Sequence, residues 1–155
     1  MNGVIQSYQE QIEILPSNTS ALTFQKDCIR TRSANCCGWL QHSEGSPLYK
    51  ILEGGKYEVT FNANVTSATA GQVALGLFMD GILLPGTTVI IPVTTAGNYT
   101  NVSFNKIVPI CCRGDATLTI QSVSSVLIGA TTGATSTTTQ IPVIQNANLT
   151  ITRLS

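Results

Sequence analysis

The feature that most constrains this chain is an apolar segment interrupted by an Asp-Gly pair. Residues 74–93 read ALGLFMDGILLPGTTVIIPV. Asp80-Gly81 between two apolar runs is a strong signal for a two-residue β-hairpin turn, because both residues tolerate positive φ angles. The run before the turn is continuously apolar rather than alternating, which indicates a strand buried on both faces. One face can meet the core of the domain, and we expect the other to meet another subunit.

The remaining sequence also favours β-structure. Thr, Val and Ile are frequent, and Gly, Pro and Asn interrupt them at short intervals, as in all-β proteins. KYEVTFNANVT, residues 56–66, alternates and would place these side chains on one face: Tyr57, Val59, Phe61, Ala63 and Val65. The other predicted strands are residues 5–15 and 21–30, TTVIIPV, YTNVSFNKIVPI, DATLTIQSVSSVLI and NANLTITRLS. Eight to ten short strands predict an all-β, two-sheet jelly-roll sandwich.

We expect a single compact domain, because the 155 residues contain no internal repeat and no linker. Within it, residues 1–47 are assigned to an N-terminal arm and the first strands, and residues 48–155 to the jelly-roll core. The first 30 residues could form an appended arm. GATTGATSTTTQ, residues 129–140, is low in complexity and predicts a mobile loop.

The balance of charge excludes some functions. Eight basic and eight acidic side chains give a net charge of +0, and only 10% of residues are charged. This argues against nucleic-acid binding by phosphate neutralisation, and it fits a protein that packs against copies of itself or other proteins.

No run of 18 apolar residues occurs, so membrane insertion is not expected. The start of the chain lacks a secretion signal, which predicts a protein that stays in the cytosol or leaves by lysis.

The cysteines leave three alternatives open. The chain has an odd number of them: Cys28, Cys36, Cys37, Cys111 and Cys112. Buried free thiols are favoured, because cysteine packs well as a small apolar side chain. A disulfide between the two doublets and a metal site are the alternatives, although no spacing matches a zinc motif. We therefore expect no metal and no cofactor.

Catalysis finds little support in the sequence. His42 is the only histidine, and a hydrolytic triad needs a histidine base oriented by an acid. Its neighbours in LQHSEGS favour an exposed loop residue instead. Arg113-Gly114-Asp115 spells an integrin-binding tripeptide, but Gly-Asp at this point favours a turn that enters a strand.

The order of several segments resembles the tumour necrosis factor-like superfamily, which includes the complement globular heads. The segments are GGKYEVTFNANV, VALGLFMDGILLPGTTV, CCRGDATLTIQ and the C-terminal NANLTITRLS. The resemblance covers residues 48–155 and implies a ten-stranded jelly roll that assembles as a compact homotrimer. The first 47 residues and the cysteine doublets depart from the family pattern, and no collagen-like stem is present.

Residues for two surfaces are predicted on this basis. The trimer-interface candidates are Val73, Leu75, Leu77, Phe78, Tyr57, Phe61 and Phe104. The candidates for a ligand-binding loop are Tyr99, Thr131, Thr135 and Thr137. Core packing is the competing interpretation for the aromatic residues, since most occupy alternating strand positions. Tyr99 is the best candidate for exposure.

The expected function is that of a non-enzymatic structural protein of a bacteriophage or prophage virion. The missing secretion signal, the Thr-rich composition and the resemblance together indicate a trimeric jelly roll that decorates a capsid or a fibre. Its partners would be itself and other virion proteins, and it would be made in a bacterial cytoplasm. The alternative is a head domain that binds a receptor or a carbohydrate, such as a host surface glycan, on a bacterial cell.

Overall fold

The computed structural model describes residues 3–16, 20–29, 38–111, 114–123 and 139–155, which contain β-strands and no helix. The helix-free ranges accordingly hold no segment able to cross a membrane as a helix. The strands are β1 Val4–Tyr8, β2 Glu13–Ile14, β3 Lys26–Ile29, β4 Leu40–Gln41, β5 Tyr49–Ile51, β6 Gly55–Ser67, β7 Gly71–Met79, β8 Ile82–Leu83, β9 Val89–Val93, β10 Thr100–Ile110, β11 Ala116–Ser122 and β12 Pro142–Arg153. The all-β prediction is confirmed.

Two sheets of antiparallel strand pairs form the molecule. Sheet one has the order β10-β6-β12-β1-β3, and β2 pairs with β12. Sheet two has the order β4-β5-β11-β7-β8, and β9 pairs with β7. Fully buried side chains from both sheets share one apolar core, including Phe61 and Ile151 from sheet one and Leu75 and Leu118 from sheet two. This arrangement confirms the predicted two-sheet jelly roll.

Strand β6 alternates as the sequence predicts. Its inward side chains are all fully buried: Tyr57, Val59, Phe61, Ala63 and Val65. Thr60 and Asn62, which lie between them, are exposed on the outer face of sheet one. The alternation follows from the pleat of the strand, in which successive side chains point to opposite faces.

Strand β7 is buried on both faces, also as predicted. Leu75 and Leu77 point into the shared core. On the opposite face Ala74 and Phe78 are 1% and 5% exposed, and they form a second apolar cluster with Val123. Both faces of β7 are therefore already buried in an isolated chain, and the inference that a second subunit must cover one of them is corrected.

The same burial applies to every trimer-interface candidate. The positions concerned are Val73, Leu75, Leu77, Phe78, Tyr57, Phe61 and Phe104, and each is buried in a single chain. Phe104 lies opposite Phe61 in the β10–β6 ladder, with ring centroids 5.4 Å apart. Phe78 is covered by the second apolar cluster and the other six by the shared core, so these side chains do not form a surface that another copy could reach.

The two predicted turns have the expected backbone. Asp80 and Gly81 both have positive φ, 51° and 80°, and connect β7 to β8. The backbone N–H of Asp80 donates to the Thr117 carbonyl at 2.9 Å, which ties the turn to β11. Gly114 and Asp115 also have positive φ, and a Cβ at Gly114 would collide with the Leu52 carbonyl oxygen. The Gly-Asp pair thus enters β11 through a turn that requires glycine, while Arg113 lies outside the described residues.

The N-terminal strands are part of sheet one. β1 lies between β12 and β3, with Ile5 opposite both Ile151 and Ile29. Ile5 is buried in the shared core. The division of the chain at residue 47 stays a prediction, but β1 and β3 contribute to the same sheet as β6 and β12.

Candidate functional site

The outer face of sheet one carries a regular array of amide and hydroxyl side chains, which we call the amide face. The strand register aligns Asn105, Thr60, Thr150 and Gln6 in one row across four strands. The next row consists of Ser103, Asn62, Asn148 and Tyr8. Glu58 is the one carboxylate next to these rows on β6. Lys26 on β3 is the register partner of Tyr8 and adds one exposed ammonium group at the edge of the second row. The rest of the two rows is polar and uncharged.

Hydrogen bonds between strands orient the amides of this face. The Asn101 amide donates to Asn64 Oδ1 at 3.0 Å. The Asn105 amide donates to Glu58 Oε1 at 2.9 Å and to Thr60 Oγ1 at 3.1 Å. Such cross-strand contacts between side chains stabilise a sheet and hold its surface groups in fixed positions.

An exposed apolar surface, the isoleucine patch, continues the amide face at one end. It consists of Ile12, Ile14 and Ile141, exposed by 60%, 61% and 50%, together with half-buried Val143. Ile14 and Val143 are direct partners in the β2–β12 ladder. Neighbouring apolar side chains that are exposed on a protein surface often mark a site of contact with another protein.

A buried polar cluster connects the two sheets. His42 Nδ1 lies 2.6 Å from Asp27 Oδ2, and His42 Nε2 lies 2.9 Å from the Ser46 carbonyl. The Ser7 hydroxyl donates to Asp27 Oδ1 at 2.5 Å. The imidazole stacks on the ring of Tyr49 with centroids 3.9 Å apart. The His42 side chain is 0% exposed, so the expectation of an exposed loop histidine is wrong.

The order of groups in this cluster differs from that of a hydrolytic triad. A triad places the histidine between the serine and the acid, so that the imidazole can remove the serine proton. Here Asp27 lies between Ser7 and His42, and the second ring nitrogen faces the Ser46 carbonyl. The cluster therefore orients side chains without activating a nucleophile.

Two buried tyrosines have perturbed acidity. Burial raises the pKa of the Tyr49 phenol, the nearby Ser7 hydroxyl acts in the opposite direction, and the Asp27 carboxylate raises the pKa further. Burial also raises the pKa of Tyr57, whose hydroxyl donates to the Glu53 carbonyl at 2.7 Å. Both phenols stay protonated at neutral pH and act as packing groups.

The remaining predicted residues are spread over the molecule. Tyr99 is 38% exposed and lies between β9 and β10. Thr131, Thr135 and Thr137 lie outside the described residues.

The described cysteines are only partly buried. Cys28 is half-buried and Cys111 is exposed, both as free thiols, so the expectation of burial is wrong for Cys111. The other predicted cysteines, Cys36, Cys37 and Cys112, lie outside the described ranges. In the part of the chain that is described, no group of His, Cys, Asp and Glu could hold a metal ion.

Sequence reasoning missed the polar cluster and the isoleucine patch. Ser7, Asp27 and His42 come from three separate segments, and only the pairing of β1 with β3 makes Ser7 and Asp27 neighbours. The signal available in the sequence was a polar residue at an inward strand position, since Ser7 follows Ile5 by two residues and therefore lies on the same face of β1. The outward residues of β6 were readable from the alternation alone.

Solved structures with the same fold come from several animals. The structure is similar to the globular domain of zebrafish complement 1qA protein, with a TM-score of 0.61, 11% identity, and coverage of 100% of this chain and 98% of that chain. It is similar to murine APRIL at pH 5.0, with a TM-score of 0.60, 10% identity, and coverage of 99% and 100%. For Eiger TNF from S. frugiperda the TM-score is 0.62, the identity 6%, and the coverage 100% and 92%.

Neither a protein-family model nor a curated protein matches the sequence. The structural similarities confirm that the chain has the jelly-roll fold of the tumour necrosis factor-like and complement 1q-like domains. At identities of 6% to 11% they establish the fold and leave function to the residues of this chain.

Proposed function

We propose that this chain is a non-enzymatic interaction domain that assembles as a homotrimer and serves as a structural protein of a bacteriophage particle. The observation that carries the proposal is the jelly-roll fold shared with complement 1qA and Eiger TNF along the whole chain. The sequence resemblance to that superfamily implies a trimer. A net charge of +0 supports self-association, because copies of the chain do not repel one another strongly.

The isoleucine patch and the adjoining amide face are the surface that best fits contact between copies. The seven trimer-interface candidates of the sequence analysis are buried within a single chain, so a contact between copies must use side chains that are still exposed. Ile14 and Ile141 offer apolar area, and the amides offer hydrogen bonds without the cost of removing charges from water. An apolar centre beside a polar region is the usual composition of a protein interface.

A pair of substitutions tests this assignment. Ile14→Lys places a charge in the isoleucine patch, and Ile82→Lys makes the same change at a 71% exposed isoleucine of sheet two. Multi-angle light scattering should give the wild type a mass three times that of the 16.4 kDa chain. We expect Ile14→Lys to lower the mass towards that of one chain and Ile82→Lys to leave it unchanged.

Two outcomes of the light-scattering experiment would contradict this assignment. A wild-type protein that is monomeric at micromolar concentration contradicts the trimer. A trimer that tolerates Ile14→Lys as well as Ile82→Lys places the interface elsewhere. Both variants should retain the wild-type thermal stability as single chains, because exposed positions contribute little to it.

The role in a virion rests on the sequence resemblance and the Thr-rich, charge-poor composition. Mass spectrometry of purified phage particles whose genome encodes this chain should detect it at a copy number that is a multiple of three. Flanking capsid genes would favour capsid decoration, and flanking tail-fibre genes would favour a fibre. Its absence from purified particles would remove the virion role and leave the interaction domain.

A head domain that binds a carbohydrate or a receptor on a bacterial surface is the second candidate. The exposure of Tyr99, in the connection between β9 and β10, favours it, because an exposed aromatic ring can stack on a sugar. A glycan array should then show binding by the wild type and loss of that binding in Tyr99→Ala. Equal binding by both proteins would contradict a role for Tyr99.

A further inference from the structure

The only histidine of the chain lies where the two sheets are joined by polar groups. Asp27 belongs to β3 and is the register partner of Ser7 on β1, so both belong to sheet one. His42 follows β4, and the segment up to Ser46 connects β4 to β5 in sheet two. The contact between Asp27 and His42 therefore spans the two sheets.

Both ring nitrogens of His42 face hydrogen-bond acceptors. Nδ1 faces the Asp27 carboxylate at 2.6 Å, and Nε2 faces the Ser46 carbonyl at 2.9 Å. A neutral imidazole has one N–H and one lone pair, so it satisfies only one of these contacts and directs a lone pair at an acceptor in the other. The imidazolium has two N–H groups and satisfies both.

The surrounding charges favour the same state. Asp27 is the charged group in contact with the ring, and its other oxygen accepts a hydrogen bond from Ser7. Glu44 accepts the backbone N–H of Asp27 at 3.1 Å and pairs with Lys26 at the surface. Among the residues that the structure describes, the remaining titratable group that faces the ring is Tyr49, which burial keeps neutral.

We propose that His42 is an imidazolium in the folded protein and that its pair with Asp27 is a pH-sensitive clip between the sheets. The clip holds the β4–β5 connection against β3. The backbone N–H of Gly45 also donates to the Phe24 carbonyl at 2.7 Å, so this amide reports whether the connection is in place.

The clip opens when the pH rises. Loss of the ring proton leaves a lone pair facing either the Asp27 carboxylate or the Ser46 carbonyl, and a buried contact between two acceptors is unfavourable. The β4–β5 connection then loses its anchor on sheet one. The core between the sheets is apolar and does not titrate with it, so the opening is local.

Nuclear magnetic resonance of the nitrogen-labelled protein tests the protonation state. Because the chain has one histidine, its two ring nitrogens are identified without further assignment. At about pH 7.5 an ordinary histidine is mostly neutral. We expect both ring nitrogens of the folded protein to be protonated at that pH, and one unprotonated ring nitrogen would overturn the proposal.

Hydrogen exchange of the Gly45 amide tests the clip itself. In the wild type its protection should fall in the pH range in which the ring loses its proton, beyond the ordinary rise of exchange with pH. Protection that does not follow the ring titration would overturn the clip, even if the ring is charged at neutral pH. This measurement needs no variant and so does not depend on whether a variant folds.

Asp27→Asn and a matched control sharpen the result. The asparagine keeps an acceptor for Nδ1 but removes the charge, so we expect a neutral ring at about pH 7.5 and exchange of Gly45 faster by about tenfold or more. Asp115→Asn makes the same change at a 71% exposed carboxylate paired with Lys50, and it should alter neither signal. A ring that stays doubly protonated in Asp27→Asn would contradict the role of Asp27.

Discussion

Strands β6 and β7 are consecutive in the chain but bury their side chains in different ways. β6 in sheet one alternates, with Phe61 fully buried and Asn62 exposed on the amide face. β7 in sheet two buries both Leu77 and the neighbouring Phe78. One sheet therefore presents an ordered polar surface, whereas the other carries a second apolar layer on its outer side.

This difference separates burial from assembly. A strand that is apolar on both faces needs cover, but the cover can come from the same chain, as Val123 and Leu83 provide for Phe78. On the outer face of sheet one, by contrast, Thr60 and Asn62 of β6 stay exposed. The sequence of β6 alternates regularly and is therefore less unusual than the continuously apolar sequence of β7.

The largest expected effect is that of removing the outer apolar layer of β7. Phe78→Ala should lower the free energy of unfolding by about 3–5 kcal/mol, because it deletes a buried aromatic ring and leaves a cavity. Asn62→Ala, on the outer face of β6, should change it by less than about 0.5 kcal/mol. Chemical denaturation of both variants measures the contrast. Similar values for the two would mean that the outer layer of sheet two is loosely packed.

A smaller effect is expected at Gly76 and Leu77, which pair with β11 but lie between the parts of β7 that pair with β8 and with β9. The Leu77 N–H donates to the hydroxyl of fully buried Thr87 at 3.1 Å, and that hydroxyl donates to the Leu84 carbonyl at 2.8 Å. Thr87→Val keeps the shape but removes both bonds. Denaturation should show a loss of about 1–3 kcal/mol, the cost of unsatisfied buried groups.

The control for that substitution lies on sheet one. Thr60→Val removes an exposed hydroxyl that accepts from Asn105 at 3.1 Å, and water can replace this contact. We expect a change below about 0.5 kcal/mol. If the Thr87→Val variant is as stable as the Thr60→Val variant, the backbone N–H of Leu77 must find another hydrogen-bond acceptor.

The last expected effect concerns the pH dependence of stability, to which the two buried tyrosines, one in each sheet, contribute only in alkali. Burial raises the pKa of both Tyr49 and Tyr57, so the folded chain keeps the phenol protons that the unfolded chain would lose at about pH 10. The stability from these groups is complete below that pH and falls as the pH rises further. Their phenolate absorbance should appear together with the loss of near-ultraviolet circular dichroism.

Two variants assign that absorbance. Tyr49→Phe and Tyr57→Phe should each remove part of the absorbance change that accompanies unfolding in alkali. Phenolate that forms while the circular dichroism signal is intact, and that disappears in one of the variants, would contradict burial of that ring.

Local patterns predicted much of the fold. The alternation from Tyr57 to Val65 identified an inward face, and Asp80-Gly81 identified the hairpin turn, because both depend on residues close together in the chain. The candidate surfaces were predicted less well. Phe61 and Phe104 were assigned to a subunit interface although they face each other in the interior.

The sequence by itself determined the class of fold, the turns and the burial of β7 on both faces, since strand periodicity and positive φ angles are properties of neighbouring residues. The tertiary structure decided what covers β7, and it brought Ser7, Asp27 and His42 into one buried cluster. These contacts join residues distant in the chain, and an apolar side chain in a sequence does not specify which apolar surface it will meet. Packing between elements settles that choice.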